Sequence, residues 1–323
     1  MAMADGSVAL KAFRKGAKSV GAVWFAVIGL YVISGLISPA MFQWSQFLNI
    51  LQVASFLGVV ALGQTFVVLT GGIDLSQAGI VTLTNIVATS LMLGLDQNIA
   101  PAIAACIAIA LLAGIINGLL VIVIGITPLI ATLGTNSILF GAALVYTGGA
   151  PRGEASPAFE LLGTGGIAGV PIPTLTWLVL GLAMTWICSA TVFGRWIYAV
   201  GANSQAAALA GVPVERVTVA AYAMSSLLAC AGGLLLTAYI GSPSLGIGNP
   251  FLFTAIAAVV VGGAALTGGV GSMIATIGGA VFITELNSFT NIIRVSSGTQ
   301  FLVQGFIIIA SVLIYRRLSD TRR

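Results

Sequence analysis

The sequence predicts an all-α integral membrane protein of about ten transmembrane helices, with both termini cytoplasmic and some helices broken by Gly or Pro. Three observations carry that prediction. Of 323 residues, 59% are apolar and only 6% are charged, and the mean hydropathy is +1.12. A soluble domain carries about 25% charged residues, and a water-facing surface cannot be assembled from far fewer. The apolar residues also come in long, uncharged and almost wholly apolar runs, such as residues 100–124, whereas a membrane β-barrel shows short alternating strands. Without water at membrane depth, helices are then the spanning element. Finally, a crossing takes about 20 residues, so the apolar share supplies about nine or ten of them. Soluble enzymes, disordered chains and secreted disulfide scaffolds are excluded.

The chain opens with Lys11, Arg14, Lys15 and Lys18, followed by an apolar stretch over 20–37. That stretch is too long for a signal-peptide core and lacks a small-x-small cleavage site, so it reads as a retained first span. Further spans are expected at 48–69, 74–94, 99–124, 128–147, 173–193, 217–240, 251–267, 272–290 and 298–315, separated by Gly, Pro, Asn and charge. Residues 1–19 are a cytoplasmic tail, 20–315 a single transmembrane domain, and 316–323 a second cytoplasmic tail. An even number of spans returns the chain to the side it started from. With the termini inside, ten cations face the cytoplasm, and only Arg152 and Arg294 face out. The positive-inside rule favours that orientation. It leaves 148–172 as an external loop and 194–216 as a cytoplasmic one. Cations confined to termini and short loops are topology signals, so no nucleic-acid partner is expected.

Leu69-Thr70-Gly71-Gly72 recurs as Leu266-Thr267-Gly268-Gly269. Each copy lies between two apolar spans, which fits either a repeated half or a chance match in a chain with 41 glycines. Small residues let membrane helices approach closely, and Gly114/Gly118 and Gly278/Gly279 are placed to do so. Broken helices are expected at Gly71-Gly72, from Gly125 to Pro128, and from Gly241 to Pro250. At membrane depth such breaks expose backbone groups to a solute or a path.

Much chemistry is missing. With no histidine, His-ligated metals, Ser-His and Cys-His catalysis and a His proton relay are all excluded. No catalytic set and no metal site are expected. Cys106, Cys188 and Cys230 stand singly in apolar runs, spaced for neither a metal nor a disulfide framework. No Gly-Lys pair occurs, so there is no phosphate-binding Walker loop. Gly246-x-Gly248 and Gly269-x-Gly271 lack the strand–loop–helix setting of a nucleotide site.

Two acids fall at membrane depth, where acids are costly and often functional. Asp74 can cap the next helix or serve the translocation path. Glu285 can do the latter or lie solvated near the outer end of its span. Gln64, Asn85, Asn117, Thr132, Asn136 and Gln304 are further polar residues within spans. They suit interhelical hydrogen bonds or the lining of a path for a hydroxyl-rich solute. Thr132 and Asn136 share one helical face.

Gly71-Gly72-Ile73-Asp74-Leu75-Ser76 resembles the Gly-Ile-Asp-Leu-Ser signature of bacterial ABC importer permeases of the ribose/simple-sugar type. Residues 194–203, Gly-Arg-Trp-Ile-Tyr-Ala-Val-Gly-Ala-Asn, are similar to that family's Gly-Arg-x-Ile-Tyr-Ala-x-Gly-x-Asn, continued by Ala206-Ala207, Leu209 and Gly211. A third match is Ala255–Gly263, followed by Leu266, Gly268-Gly269 and Gly271. The three motifs in order, together with ten spans and cytoplasmic termini, extend the resemblance over nearly the whole chain. The resemblance implies a division of labour. A periplasmic binding protein delivers the solute, and two permease chains, identical or similar, form the path. A cytoplasmic ATP-binding cassette subunit holds ATP and Mg, while the permease itself binds no cofactor. It also implies a bacterial inner-membrane location. The inner loop then becomes a coupling segment, with Asn203, Gln205, Ala206, Ala207, Leu209 and Gly211 meeting the ATPase. Asn203 suits an N-cap, and Gly211 and Pro213 suit a helix stop. The chain departs from the family at Ser204, Ala208, Gln77-Ala78 and Phe253-Thr254, which bears on the solute rather than the fold.

The expected function is therefore the membrane subunit of an ATP-driven importer of a sugar or related small polar solute. One alternative is the same fold carrying a branched-chain amino acid, a nucleoside or another metabolite. Another class, an ion-coupled secondary transporter, would rest on Asp74 and Glu285.

Overall fold

The computed structural model describes residues 5–296, 298–300, 302, 305 and 306, with backbone alone over 5–19. The predicted tenth span, 298–315, with Gln304, and the C-terminal tail 316–323 therefore lie largely or wholly outside the described residues. Seven helices are long and apolar enough to cross a membrane: α1 (Asp5–Ile37, apolar from Val20), α2 (Trp44–Leu69), α4 (Ile99–Ile122), α5 (Pro128–Thr147), α7 (Ile172–Ala190), α10 (Val214–Ile240) and α12 (Met273–Ile292). α3 (Gln77–Met92) and α11 (Phe251–Val261) are shorter apolar helices. Three more lie between them: α6 (Pro157–Thr164), α8 (Val192–Ala202) and α9 (Ser204–Leu209). Gly166–Ile167 and Val170–Pro171 pair antiparallel in the loop before α7.

α11 stops six residues short of the expected 267. Gly262 and Gly263 follow it, and Gly263 takes the left-handed conformation at φ 83°. Glycine adopts that conformation without the Cβ penalty that other residues carry, so it ends helices. The expected cytoplasmic loop 194–216 is also more ordered than a loop, because its first part is α8.

The helices form an inner and an outer set. α2 is buried continuously from Ala54 to Leu69 and packs against α10, α12, α7 and α11. Trp177 of α7 is fully buried where Gly58 of α2 leaves no side chain in its way. α4 closes on α10 through Gly114 and Gly118, where an added Cβ would stand 2.7 Å from the Ala223 Cα and 2.6 Å from the Val219 Cα. This is the close approach that small residues permit in membranes. α1, α4, α5 and α7 instead present side chains such as Phe25, Leu112, Ile138 and Leu182 outward. An apolar exterior over a small-residue core is the pattern expected of helices facing lipid.

The molecule has two distinguishable ends. At one, Ala155 N–H donates to the Gly241 carbonyl (2.8 Å), Gly94 N–H to the Glu154 carbonyl (3.2 Å) and Ala158 N–H to Asp96 Oδ1 (3.1 Å). These bonds hold α6 over the ends of α3 and α10. At the other end lie α8, α9 and both Leu-Thr-Gly-Gly turns. Arg195 and Arg216 sit at the α9 end, whereas Arg152 and Arg294 follow helices that finish at the α6 end.

Candidate functional site

The α9 end begins with a capped, amphipathic helix. Thr191 Oγ1 accepts the Gly194 N–H (3.2 Å), and Gly194, Ile197 and Val200 form the buried face of α8. Asn203 then starts α9 as its N-cap: its Oδ1 accepts the Ala206 N–H (2.9 Å). Ala207 is the anchored residue of α9. Gln205 and Ala206 face out, and Leu209 is 92% exposed, an apolar side chain with no cover. Gly211, at φ 84°, reverses the chain, and Val212 N–H donates to the Ala207 carbonyl (3.0 Å). The result is a short rigid projection tipped by a bare leucine.

Behind it, three segments meet through glycine. Gly269 N–H donates to the Leu69 carbonyl (2.9 Å), so the two Leu-Thr-Gly-Gly turns touch each other. Gly201 of α8 is wedged into that contact. A Cβ there would collide with the Leu69 carbonyl oxygen and lie 2.5 Å from the Gly269 nitrogen. Gly71, Gly268 and Gly269 all have positive φ, at 86°, 89° and 72°. A Cβ on Gly268 would approach the Gly201 carbonyl and the Gly71 nitrogen within 3 Å. Tyr198 ties the same helix down by donating to the Gly271 carbonyl (2.9 Å). The α2–α3 and α11–α12 hairpins are thereby fastened to one helix, α8, which leads directly into α9.

Above this junction lies a buried polar network built on Asp74. Its Oδ1 accepts from the Ser76 N–H (2.9 Å) and the Ser76 hydroxyl (2.5 Å), and its Oδ2 accepts from Ser225 (2.6 Å). Each hydroxyl is fed by an amide: Gln77 Nε2 donates to Ser225 (2.9 Å) and Asn117 Nδ2 to Ser76 (2.8 Å). Thr135 donates to Asn117 Oδ1 (2.6 Å), and Thr132 Oγ1 accepts the Leu75 N–H (3.1 Å). Gln64, with its amide turned to satisfy both atoms, donates to the Asp74 carbonyl and Gln77 Oε1 and accepts from the Asp74 N–H. Side chains of α2, α3, α4, α5 and α10 converge around Asp74, which is 1% exposed and whose carboxylate accepts from Ser76 and Ser225. Burying such groups is tolerable because each is paired. Asp74 thus accepts one backbone N–H, that of Ser76, at the α3 entry and also joins that entry to α10 through Ser225.

Residues 46–312 match the family described as "Branched-chain amino acid transport system / permease component". The chain belongs to that permease family. Among its curated relatives is a probable ABC transporter permease of Sinorhizobium fredii, 39% identical over 92% of this chain and 89% of that one. The ribose import permease of Bacillus subtilis is 38% identical over 90% of each. An autoinducer 2 import system permease of Klebsiella pneumoniae is 34% identical over 91% of this chain and 86% of that one. No solved structure matches significantly. The protein is a multi-pass membrane subunit of an ABC importer.

The remaining predicted residues of the permease lie apart from the Asp74 network. Asn85 sits toward the α6 end of α3, donates to Thr237 (3.1 Å) and the Ser242 carbonyl (3.2 Å), and accepts the Ser244 N–H (2.8 Å). It pins the Gly241–Pro250 segment, the break expected from sequence, against α3. Asn136 shares the Thr132 face of α5, as its spacing predicted, but its Oδ1 is buried without a partner among the described residues. Glu285 is 1% exposed, with Oε1 likewise unpaired, so the solvated reading of this acid is corrected. Helix α1 covers that side of α12, and Tyr31 lies near the carboxyl.

Sequence reading passed over Ser76, Ser225, Thr135 and the wedging role of Gly201. Ser76 and Gly201 were inside quoted motifs, and Ser225 interrupts an apolar run, but pairing partners 148 or 151 residues apart leave no local signal.

Proposed function

We propose that the permease imports a sugar or a related polyol across the bacterial inner membrane by alternating access. In this reading both termini and α9 face the cytoplasm, and the chain makes about ten crossings. ATP and Mg are held by a partner ATP-binding cassette subunit, and this chain binds no cofactor. A periplasmic binding protein delivers the solute at the α6 end. A second permease chain, identical or similar, completes the path. The observation that carries the sugar reading is similarity to a ribose import permease over nine-tenths of both chains. The family's printed description refers to branched-chain amino acids, and such a solute is the alternative.

Coupling is assigned to Asn203, Gln205, Ala206, Ala207, Leu209 and Gly211. A bare apolar tip on a rigid six-residue helix suits a cleft on another protein. Motion of α9 passes along α8 to both hairpins through Gly201. Gln64, Asp74, Asn117 and Thr132 stand above that junction, where they set how α3 moves against α10, and Asn85, Asn136 and Glu285 serve the translocation path or its gating apart from that network.

In liposomes holding permease, ATPase and binding protein, a sugar-loaded binding protein is expected to stimulate ATP hydrolysis. Stimulation by a leucine-loaded binding protein alone would replace the sugar reading with the amino-acid one. Asn203→Ala removes a cap of about 1 kcal/mol from a helix too short to form unaided. It is expected to lower the stimulated rate several-fold with membrane insertion unchanged. Leu209→Asp should lower it further. Wild-type rates in both variants would count against the coupling role.

A further inference from the structure

A recess of about 400 Å³ lies near the α6 end, between α2, α10, α11 and α12. Its volume falls in the range of small-molecule sites, about 300–1,000 Å³. One wall is polar. Thr284, Asn287, Ser288 and Asn291 recur at intervals of three and four along α12, so they share one helical face. Asn49 of α2 lines the same recess. The rest of the lining is mainly apolar and includes Phe56, whose ring packs on Tyr239 at a centroid distance of 5.3 Å.

The lining holds amides and hydroxyls and, among the described residues, no Asp, Glu, Lys or Arg. A zwitterionic amino acid would have to shed water from two charges with no opposite charge to receive them, which is costly. Nor does the start of α11 offer an anion site. Its Phe251 and Leu252 N–H groups already donate to the Gly248 and Asn249 carbonyls (3.0 and 3.2 Å). Amides supply both donors and acceptors, as solute hydroxyls require. An aromatic wall supplies apolar contact for C–H surface.

We propose that this recess is the outer solute-binding site of the permease, and that the polar face of α12 with Asn49 binds a neutral, polyhydroxylated solute there. The assignment rests on the sugar reading and adds the residues that select for it. Ser288 already accepts from Gln46 (2.6 Å) and Asn291 from Gln300 (2.8 Å). Thr284 and Asn49 make no such bond among the described residues, which leaves them for the solute.

The test uses the complete importer in proteoliposomes with tritiated D-ribose and a panel of pentoses and hexoses. Uptake of one of these sugars by the wild type is expected. Uptake of none overturns the sugar reading, and the recess assignment with it. The double variant Asn49→Leu, Thr284→Val is expected to lower uptake of the carried sugar about tenfold or more, since it deletes two hydrogen-bonding groups. ATP hydrolysis stimulated by loaded binding protein should persist, and Thr284→Ser should retain most uptake. Full uptake in the double variant, in a wild type that carries sugar, overturns the recess assignment alone. If the double variant fails to insert, Asn49→Cys decides. A membrane-impermeant maleimide added outside should label it, and excess of the carried sugar should protect it. No labelling, or labelling indifferent to the sugar, overturns the assignment.

Discussion

Gly201→Ala is expected to abolish ATP-driven uptake, although alanine is ordinarily the better helix residue by about 0.5–1 kcal/mol. The methyl would occupy space now held by the Leu69 carbonyl and the Gly269 nitrogen, both backbone atoms that cannot swing aside. Overpacking of this kind costs about 1–3 kcal/mol, more than the helix gains. The easier relaxation is for α8 to lift from the two turns. The hairpins then lose their common attachment to α8, including the Tyr198–Gly271 bond. Binding protein should still dock, but its stimulation of ATP hydrolysis and the uptake of solute should fall together. Gly134→Ala is the matched control, because an added Cβ at Gly134 meets nothing within 4 Å. Full uptake in Gly201→Ala would show that the junction does not transmit motion.

Asp74→Ala is expected to be the most destabilising single change in the buried network. It strands the Ser76 N–H and two hydroxyls, of Ser76 and Ser225, in a site closed to water. An unsatisfied buried donor costs about 1–3 kcal/mol. Within membranes the measured worth of a hydrogen bond averages nearer 0.6 kcal/mol, because the unfolded reference also finds partners. Three donors then place the loss at about 2–5 kcal/mol. Thermal unfolding of the detergent-purified permease should shift down by several degrees. Asp74→Asn keeps the shape and an acceptor oxygen, so its loss should be smaller. Equal losses in the two variants would mean that shape, rather than acceptor chemistry, holds α3 to α10.

Much of the architecture was legible in the sequence because lipid imposes a simple rule: the backbone must satisfy itself, so long apolar runs become helices. The α2, α4, α5, α7, α10 and α12 boundaries fall within a few residues of those read from Gly, Pro and charge. α11 was overrun because Ala264-Ala265-Leu266 continues the apolar pattern after Gly262-Gly263 has already turned the chain. α9 was visible through local chemistry, an Asn cap and a Gly stop within nine residues. The Asp74 network was visible only as separate polar residues, since its bonds join helices distant in sequence. The polar face of α12 went unread because the acid Glu285, which stands beside it in sequence, carried the attention and is not among the residues lining the recess. Counted from Thr284, the same stretch shows a clean helical stripe. The Leu-Thr-Gly-Gly echo was ambiguous as a motif. In space its two copies meet at one junction, which gives the recurrence a mechanical meaning whatever its origin.

In the proposed mechanism, energy from a partner's ATP enters through α9 and moves solute through this chain. Uptake of the carried sugar into proteoliposomes containing permease, ATPase and binding protein, with ATP supplied on the α9 side, tests it most directly. Accumulation should require all three proteins and hydrolysable ATP, and should persist when a protonophore collapses the ion gradient. Uptake by the permease alone without ATP, or uptake lost to the protonophore at constant ATP, would contradict it.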